Sequence, residues 1–294
     1  MNKGVKKINE NLKKFRIKSR VVVDNKTTHL LTEGDCLEVI KYIPDRSIDL
    51  IITDPPYNKK LDYGNNFDDN KRSGEYFSWL KRRLEDVPRI LNQTGSLYLM
   101  NYPEINARIL PYLENELGLK FRRWITWHYP TNIGHSKKNF TRSQRSILFL
   151  TKSNEYTFNR NKILQPYMNP DVGKIKKLIK QGKKGRAAYD FLELLDLIEM
   201  NIVDNSKKPI DVHDVDLLKN VCKDRLNKLH PCQLPLELIK RFLLVSSNKN
   251  DIILDPFAGT FSTSAVAANL GRNSIGIEIN PDYLKLGLNR INKI

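Results

Sequence analysis

The chain predicts an α/β fold, a doubly wound and mostly parallel sheet into which a helical subdomain is inserted. Three observations carry that prediction. Apolar runs end in an acid and a turn near both ends of the chain, as Ile51-Ile52-Thr53-Asp54-Pro55-Pro56-Tyr57-Asn58 and as Ile253-Leu254-Asp255-Pro256-Phe257-Ala258-Gly259-Thr260. Parallel sheets build their sites at such strand ends. Strand and helix patterns alternate on either side of the middle, as expected when helices cross over a parallel sheet. Between about residues 160 and 228 the alternation stops.

Residues 1–20 hold eight Lys or Arg and one Glu with little apolar content, which predicts a mobile or loosely packed basic arm. Gly34-Asp35-Cys36 follows a short apolar stretch and opens a helical spacing of Leu37, Ile40 and Ile43. Ile48 to Ile52 is a buried-strand run leading to Asp54. Asn58 to Arg72 is polar and rich in Gly, Asn and Asp, a mobile loop. An amphipathic helix is predicted over 75–91, with Pro88 a kink or late break. Strands are predicted over Ser96–Met100, Trp124–Trp127 and Ser146–Thr151. Lys174 to Arg186 carries seven basic residues and no acid, and Phe191 to Ile198 is apolar at helical spacing, so this stretch reads as an inserted, mostly helical subdomain. From Leu234 the alternation resumes with helix Leu236–Val245, strand Asp251–Asp255, helix Ser262–Leu270, strand Ser274–Glu278 and helix Pro281–Ile291. The division is a basic arm (1–20), a first α/β half (21–160), the insertion (161–228) and a second α/β half (229–294).

At 294 residues the chain is long enough to bury a full core. Lys and Arg number 50 against 33 Asp and Glu, a formal net charge of +17. That excess favours a polyanionic partner through phosphate contacts and counterion release; an evenly solvated basic surface is the plain alternative. Cys36, Cys222 and Cys232 show neither metal spacing nor a disulfide framework, which fits a reducing cytosol. No apolar run reaches membrane-spanning length and Met1-Asn2-Lys3-Gly4 lacks a signal-peptide core, so a soluble, cytoplasmic protein without a metal is expected.

Asp255 to Thr263 reads as a strand, a tight turn and a helix start. Gly259 lets backbone approach a ligand closely, and Ser262 and Thr263 can cap the helix or donate to a ligand carboxylate. Glu278 closes the next strand nineteen residues after Gly259, close to the ~20 between glycine turn and ribose-binding acid in dinucleotide folds. The second and third glycines of the pyrophosphate fingerprint are missing, and so is a P-loop lysine. A ribose without phosphates fits better, as in S-adenosylmethionine. In the first half, the Asp54 carboxylate and the Pro55 carbonyl can each accept one hydrogen bond from an amino group, drawing its nitrogen toward tetrahedral geometry. Proline fixes φ there and brings no competing donor, and Tyr57 offers a ring on which an extruded base can stack.

Asp54-Pro55-Pro56-Tyr57, followed by His230-Pro231, Leu234-Pro235-Leu236 and Asp255-Pro256-Phe257-Ala258-Gly259-Thr260, resembles the amino-directed DNA methyltransferases. The order, catalytic motif first and cofactor motif last, resembles their β class. The likeness spans most of 28–160 and 228–292 and fails across the middle, which is the target-recognition region of such enzymes. The resemblance implies a Rossmann-like, S-adenosylmethionine-dependent methyltransferase fold with circularly permuted motif order. It implies methyl transfer from S-adenosyl-L-methionine to N6 of a flipped adenine in double-stranded DNA, because aspartate at the first motif position goes mainly with adenine and serine with cytosine. Cytosine N4, RNA, or a catalytically impaired nucleic-acid-binding module are the alternatives it leaves open. A homodimer and a companion restriction endonuclease are partners the class allows.

Carried over residue by residue, Asp35 resembles the acid that meets the cofactor's adenine amino group, with the Cys36 backbone nearby. Asp255 and Phe257 would line the pocket, Gly259 would pass close to the ligand, and Glu278 would accept from both ribose hydroxyls. Two positions depart from the family, which usually has glycine where Phe261 stands and commonly lysine where Leu234 stands. Phe261 either points into the core or crowds the methionine end of the ligand; the core is favoured, since an aromatic entering a helix is usually buried. Trp127-His128-Tyr129-Pro130 resembles a segment near the target base, although Trp124 and Trp127 read equally as core. Lys137, Lys138, Arg142 and Arg145, and Lys174, Lys176 and Lys177 in the insertion, suit phosphate contacts, which set register and affinity but do not read sequence.

Overall fold

The computed structural model describes residues 1–24, 26–64, 67–128, 137–192 and 234–293. Its strands are β1 Ser19–Val23, β2 Thr28–Glu33, β3 Ile48–Thr53, β4 Leu91–Asn101, β5 Lys120–His128, β6 Gln144–Thr151, β7 Phe191–Leu192, β8 Ile252–Asp255 and β9 Asn273–Glu278. Among the described residues they form one sheet in the order β1-β2-β9-β8-β3-β4-β6-β5-β7. The run β2-β9-β8-β3-β4 is parallel throughout. Strand β8, from far along the chain, pairs with β3 through Leu50 with Ile253 and Ile51 with Leu254. The two acid-and-turn motifs are thereby neighbours.

The helices are α1 Lys3–Lys14, α2 Cys36–Val39, α3 Ser73–Leu84, α4 Val87–Ile90, α5 Pro103–Pro111, α6 Gly173–Lys180, α7 Leu236–Ser246, α8 Ser262–Asn269 and α9 Pro281–Ile291. Side chains of a strand alternate between faces. Ile51, Leu97, Leu99 and Leu254 therefore meet α1, α3 and α5 through Ile8, Leu12, Leu80 and Ile109. Leu50, Ile52, Tyr98, Met100 and Ile253 meet α7 and α8 through Leu238, Phe242, Leu243 and Ala267. A sheet covered on both faces needs near-continuous apolar strands, which is why these segments are legible in the sequence.

Four expectations are corrected. The basic arm is not loose: residues 3–14 form α1, with Val5, Ile8 and Leu12 at most 1% exposed and the Asn2 side chain accepting from the amides of Gly4 and Val5. Its apolar residues are few but spaced by three and four, so they share one face, and a count of composition misses them. The helix expected over 75–91 ends at Leu84, and Pro88 lies in the first turn of the separate α4, where its missing N–H costs nothing. The described residues of the loop expected to be mobile, 58–64 and 67–72, are hydrogen-bonded. Asp69 is buried, and its carboxylate accepts from the amides of Asn58, Lys59 and Leu61 at 2.8, 2.9 and 3.0 Å. Finally, Phe191 and Leu192 do not open a helix; they form β7, pairing with Thr126 and Trp127 at the edge of β5. That edge has backbone groups to satisfy, and the Asp190 carbonyl accepts from the Thr126 amide at 2.8 Å.

In the insertion, α6 is present with none of its residues buried. Residues 193–228 lie outside the described residues, as do His230-Pro231, Tyr129-Pro130, Cys222 and Cys232. No helix among the described residues is long and apolar enough to cross a membrane.

Candidate active site

Four carboxylates stand at the carboxyl ends of four adjacent parallel strands: Asp35 just past β2, Glu278 ending β9, Asp255 ending β8 and Asp54 just past β3. All four line one cleft with a cavity of about 420 Å³, together with Cys36, Pro56, Tyr57, Phe257, Gly259, Ser262 and Thr263. Separate cavities for Asp54 and Glu278 would have removed any joint chemistry. Pro55 is buried between the lining residues Asp54 and Pro56, and the Pro56 carbonyl accepts from the Tyr76 hydroxyl at 2.8 Å.

On the β9 side, Glu278 is held as an acceptor. Its Oε2 accepts from the Gly259 amide at 2.7 Å and its Oε1 from the Asn280 amide at 2.8 Å. Each oxygen keeps a further acceptor position, so two hydroxyls can be bound side by side. Burial pushes the Glu278 carboxyl up to about 7, against the amides of Asn280, Gly259 and Ile279. Gly259 sits at φ 51°, the left-handed region in which glycine escapes the Cβ penalty. Burial also pushes Asp255 up to about 6, and its Oδ2 accepts from the Thr263 hydroxyl at 2.6 Å. Thr263 therefore holds the turn through Asp255. The Ser262 hydroxyl accepts from Arg290.

At the far end, Asp35 accepts from the Leu37 amide at 2.9 Å and from the Arg83 guanidinium. Arg83 lies over the Trp79 ring at 4.3 Å, and Trp79 approaches the Phe257 ring at 5.8 Å. Trp79 and Arg83 line the cleft but were missed from sequence; their spacing of four on α3, which puts them on one face, was the available signal. Cys36 is buried, and burial pushes its thiol far above its ordinary range. Leu234 lines the cleft as an apolar wall.

On the β3 side, burial pushes the Asp54 carboxyl up to about 7, opposed by the Tyr57 hydroxyl bond and the Arg145 charge. Tyr57 donates to Asp54 and is only 2% exposed. The Tyr57 ring, on which a base is expected to stack, lies against the Arg145 guanidinium. Arg145 lies 4.5 Å from the Tyr57 ring centre and 4.3 Å from that of Tyr102. Arg142 lies 3.9 Å from the Tyr102 ring and pairs with Glu104 at 2.6 Å.

Phe261 resolves in favour of the core. It is fully buried at φ 58°. Its ring fills a slot between two glycines: a Cβ on Gly276 would lie 2.4 Å from Phe261 Cε1, and one on Gly287 2.2 Å from Cδ2. Trp127 packs with the α7 cluster and Trp124 with the α1 cluster, on opposite faces of β5, and neither is among the residues lining the cleft. Lys137, Lys138, Lys174, Lys176 and Lys177 are exposed and outside the lining, with Lys176 3.2 Å from Asp171.

A model of the DNA methylase family matches residues 48–289. The DNA adenine methyltransferase YhdJ of Escherichia coli (strain K12) is 34% identical over 267 residues, 89% of this chain and 82% of that one. Among solved structures, the cytosine-N4-specific PvuII DNA methyltransferase matches with a TM-score of 0.63 and 20% identity, over 90% of this chain and 87% of that one. The M1.HpyAVI–SAM complex matches at 0.55 and 20% identity, over 89% of this chain and 98% of that one. At such identities the structural likeness speaks to the fold alone.

Proposed function

The chain belongs to the DNA methylase family, and from that premise we propose that it moves a methyl group from S-adenosyl-L-methionine to N6 of an adenine extruded from double-stranded DNA. One observation carries the reading: Asp54 and Glu278 face a single cleft, from strands β3 and β9 on either side of β8. The donor set fits the cofactor, since Glu278 presents two fixed acceptors for a ribose diol. Asp35 stands beside an aromatic wall of Trp79 and Phe257 for the adenine ring. When bound, the cofactor supplies an electrophilic methyl group. Asp54 accepts one hydrogen of the target amino group and the Pro55 carbonyl the other, so the nitrogen lone pair turns away from the ring. Orientation and electrostatic fit provide the acceleration.

Adenine is supported by aspartate at position 54 and by the adenine methyltransferase relative. The test is mass analysis of nucleosides from duplex DNA incubated with protein and labelled cofactor. N6-methyladenine is the expected product. N4-methylcytosine replaces the proposed acceptor while keeping the family, and no incorporation in any DNA despite bound cofactor removes the reading.

Two expectations arise from the carboxylates. A protonated Asp54 cannot serve as a double acceptor, so with saturating cofactor kcat/KM rises about tenfold per pH unit below about 7 and is flat above it. A rate that is level from pH 5.5 to 8.5 excludes Asp54 as the titrating acceptor. Glu278→Gln turns one of two charged acceptors into a donor, which at roughly 1.5–3 kcal/mol per charged hydrogen bond raises the cofactor Kd about 10- to 100-fold. Calorimetry at fixed pH measures it; an unchanged Kd would remove Glu278 from the cofactor site.

A further inference from the structure

Phe140 is 98% exposed, while the next most exposed large apolar side chain among the described residues, Met168, stands at 73%. A single exposed aromatic is ordinary on a protein surface; its setting is what distinguishes this one. Residues 137–145 carry Lys137, Lys138, Arg142 and Arg145 and no acid. The carboxyl end of that segment is fastened to the catalytic rim. Arg142 is held on Tyr102 and Glu104, and Arg145 on Tyr57 and Tyr102. Phe140 precedes Arg142 by two residues, ~7 Å of chain at most, and Arg145 by five, ~18 Å. Its ring is thus tethered within about one duplex diameter of the point where Arg145 meets the Tyr57 ring. Its amide is turned onto the Asn139 side chain at 2.8 Å.

Withdrawing a base from a duplex leaves a hole in the stack, and proteins that open base steps insert apolar side chains there. We infer that Phe140 is a positioning residue that enters the duplex at the place vacated by the target base and holds the base out. The cations around it bring the phosphates of the same nucleotides to the rim. This inference rests on the DNA reading above.

The test compares the wild type, Phe140→Ala and Phe140→Trp on two duplexes carrying the sequence that the wild type methylates. One is fully paired. The other has an abasic site opposite the target, so the target leaves the stack at little cost. Phe140→Ala is expected to lose at least 30-fold in kcat/KM on the paired duplex and less than threefold on the abasic one. Phe140→Trp stays within threefold of the wild type on both. With 2-aminopurine as the target base, Phe140→Ala gives less than half of the wild-type fluorescence rise. Equal losses on the two duplexes, or no loss on the paired one, overturn the inference. Failure of the DNA reading itself appears separately, as a wild type that methylates neither duplex.

Discussion

Replacing Asp54 with alanine lowers kcat at least ~10³-fold, the scale of losing a preorganised charged partner of the reacting group, and leaves the cofactor Kd within about threefold. The separation follows from the sheet. Asp54 stands at the end of β3, whereas Asp35, Glu278 and the Gly259 turn stand at the ends of β2, β9 and β8. No hydrogen bond connects Asp54 to Glu278, Gly259 or Asp35 among the described residues, so its loss does not disturb the ribose acceptors. Nor should the fold suffer. The carboxyl is pushed up to about 7 by burial, so its ionised form is held at a cost, and removing it raises the thermal midpoint at pH 8. Asp54→Asn, which keeps the shape but not the charge, should fall nearly as far in kcat. A cofactor Kd that worsens in step with kcat would mean that the cleft is not divided as described.

Much of this site could be read in the sequence, and the limits have physical causes. The acids at 54, 255 and 278 stand out because a doubly covered parallel sheet requires apolar strands that stop abruptly at polar residues. That Asp54 and Asp255 are neighbours was legible only through motif order, since strand pairing between β3 and β8 joins residues that no local pattern connects. Helix α1 escaped because its burial depends on three residues on one face, which an excess of lysine hides. Phe191 and Leu192 carry a helical spacing, yet the open edge of β5 decides their conformation. Arg145 read as a phosphate contact; its stacking between Tyr57 and Tyr102 depends on the approach of α5's entry to β6, a tertiary fact. Phe261 was read correctly as core, but nothing local pointed to the two distant glycines that admit its ring.

That slot gives a second expected result, in which one substitution changes sign with its background. Gly287 lies within α9, where alanine is ordinarily favoured over glycine by about 1 kcal/mol. Here the added Cβ would lie 2.2 Å from Phe261 Cδ2 and 2.6 Å from Cγ. The ring cannot retreat, because it is enclosed by Leu31, Ala258, Leu284 and Ile291 and its backbone is fixed in the left-handed region. Overpacking of this kind costs roughly 1–3 kcal/mol, so Gly287→Ala destabilises the protein. Phe261→Ala alone costs about 3 kcal/mol through the emptied slot. In that background the Gly287→Ala methyl enters free space and the helix preference returns, so the same change stabilises by up to about 1 kcal/mol. Denaturant midpoints of the four proteins measure the cycle. The Asp255–Thr260 turn leans on this ring through Ala258, so cofactor affinity should weaken in Gly287→Ala and recover partly in the double variant. If Gly287→Ala destabilises equally in both backgrounds, the ring does not occupy the slot, and the remaining place for it is the methionine end of the cleft.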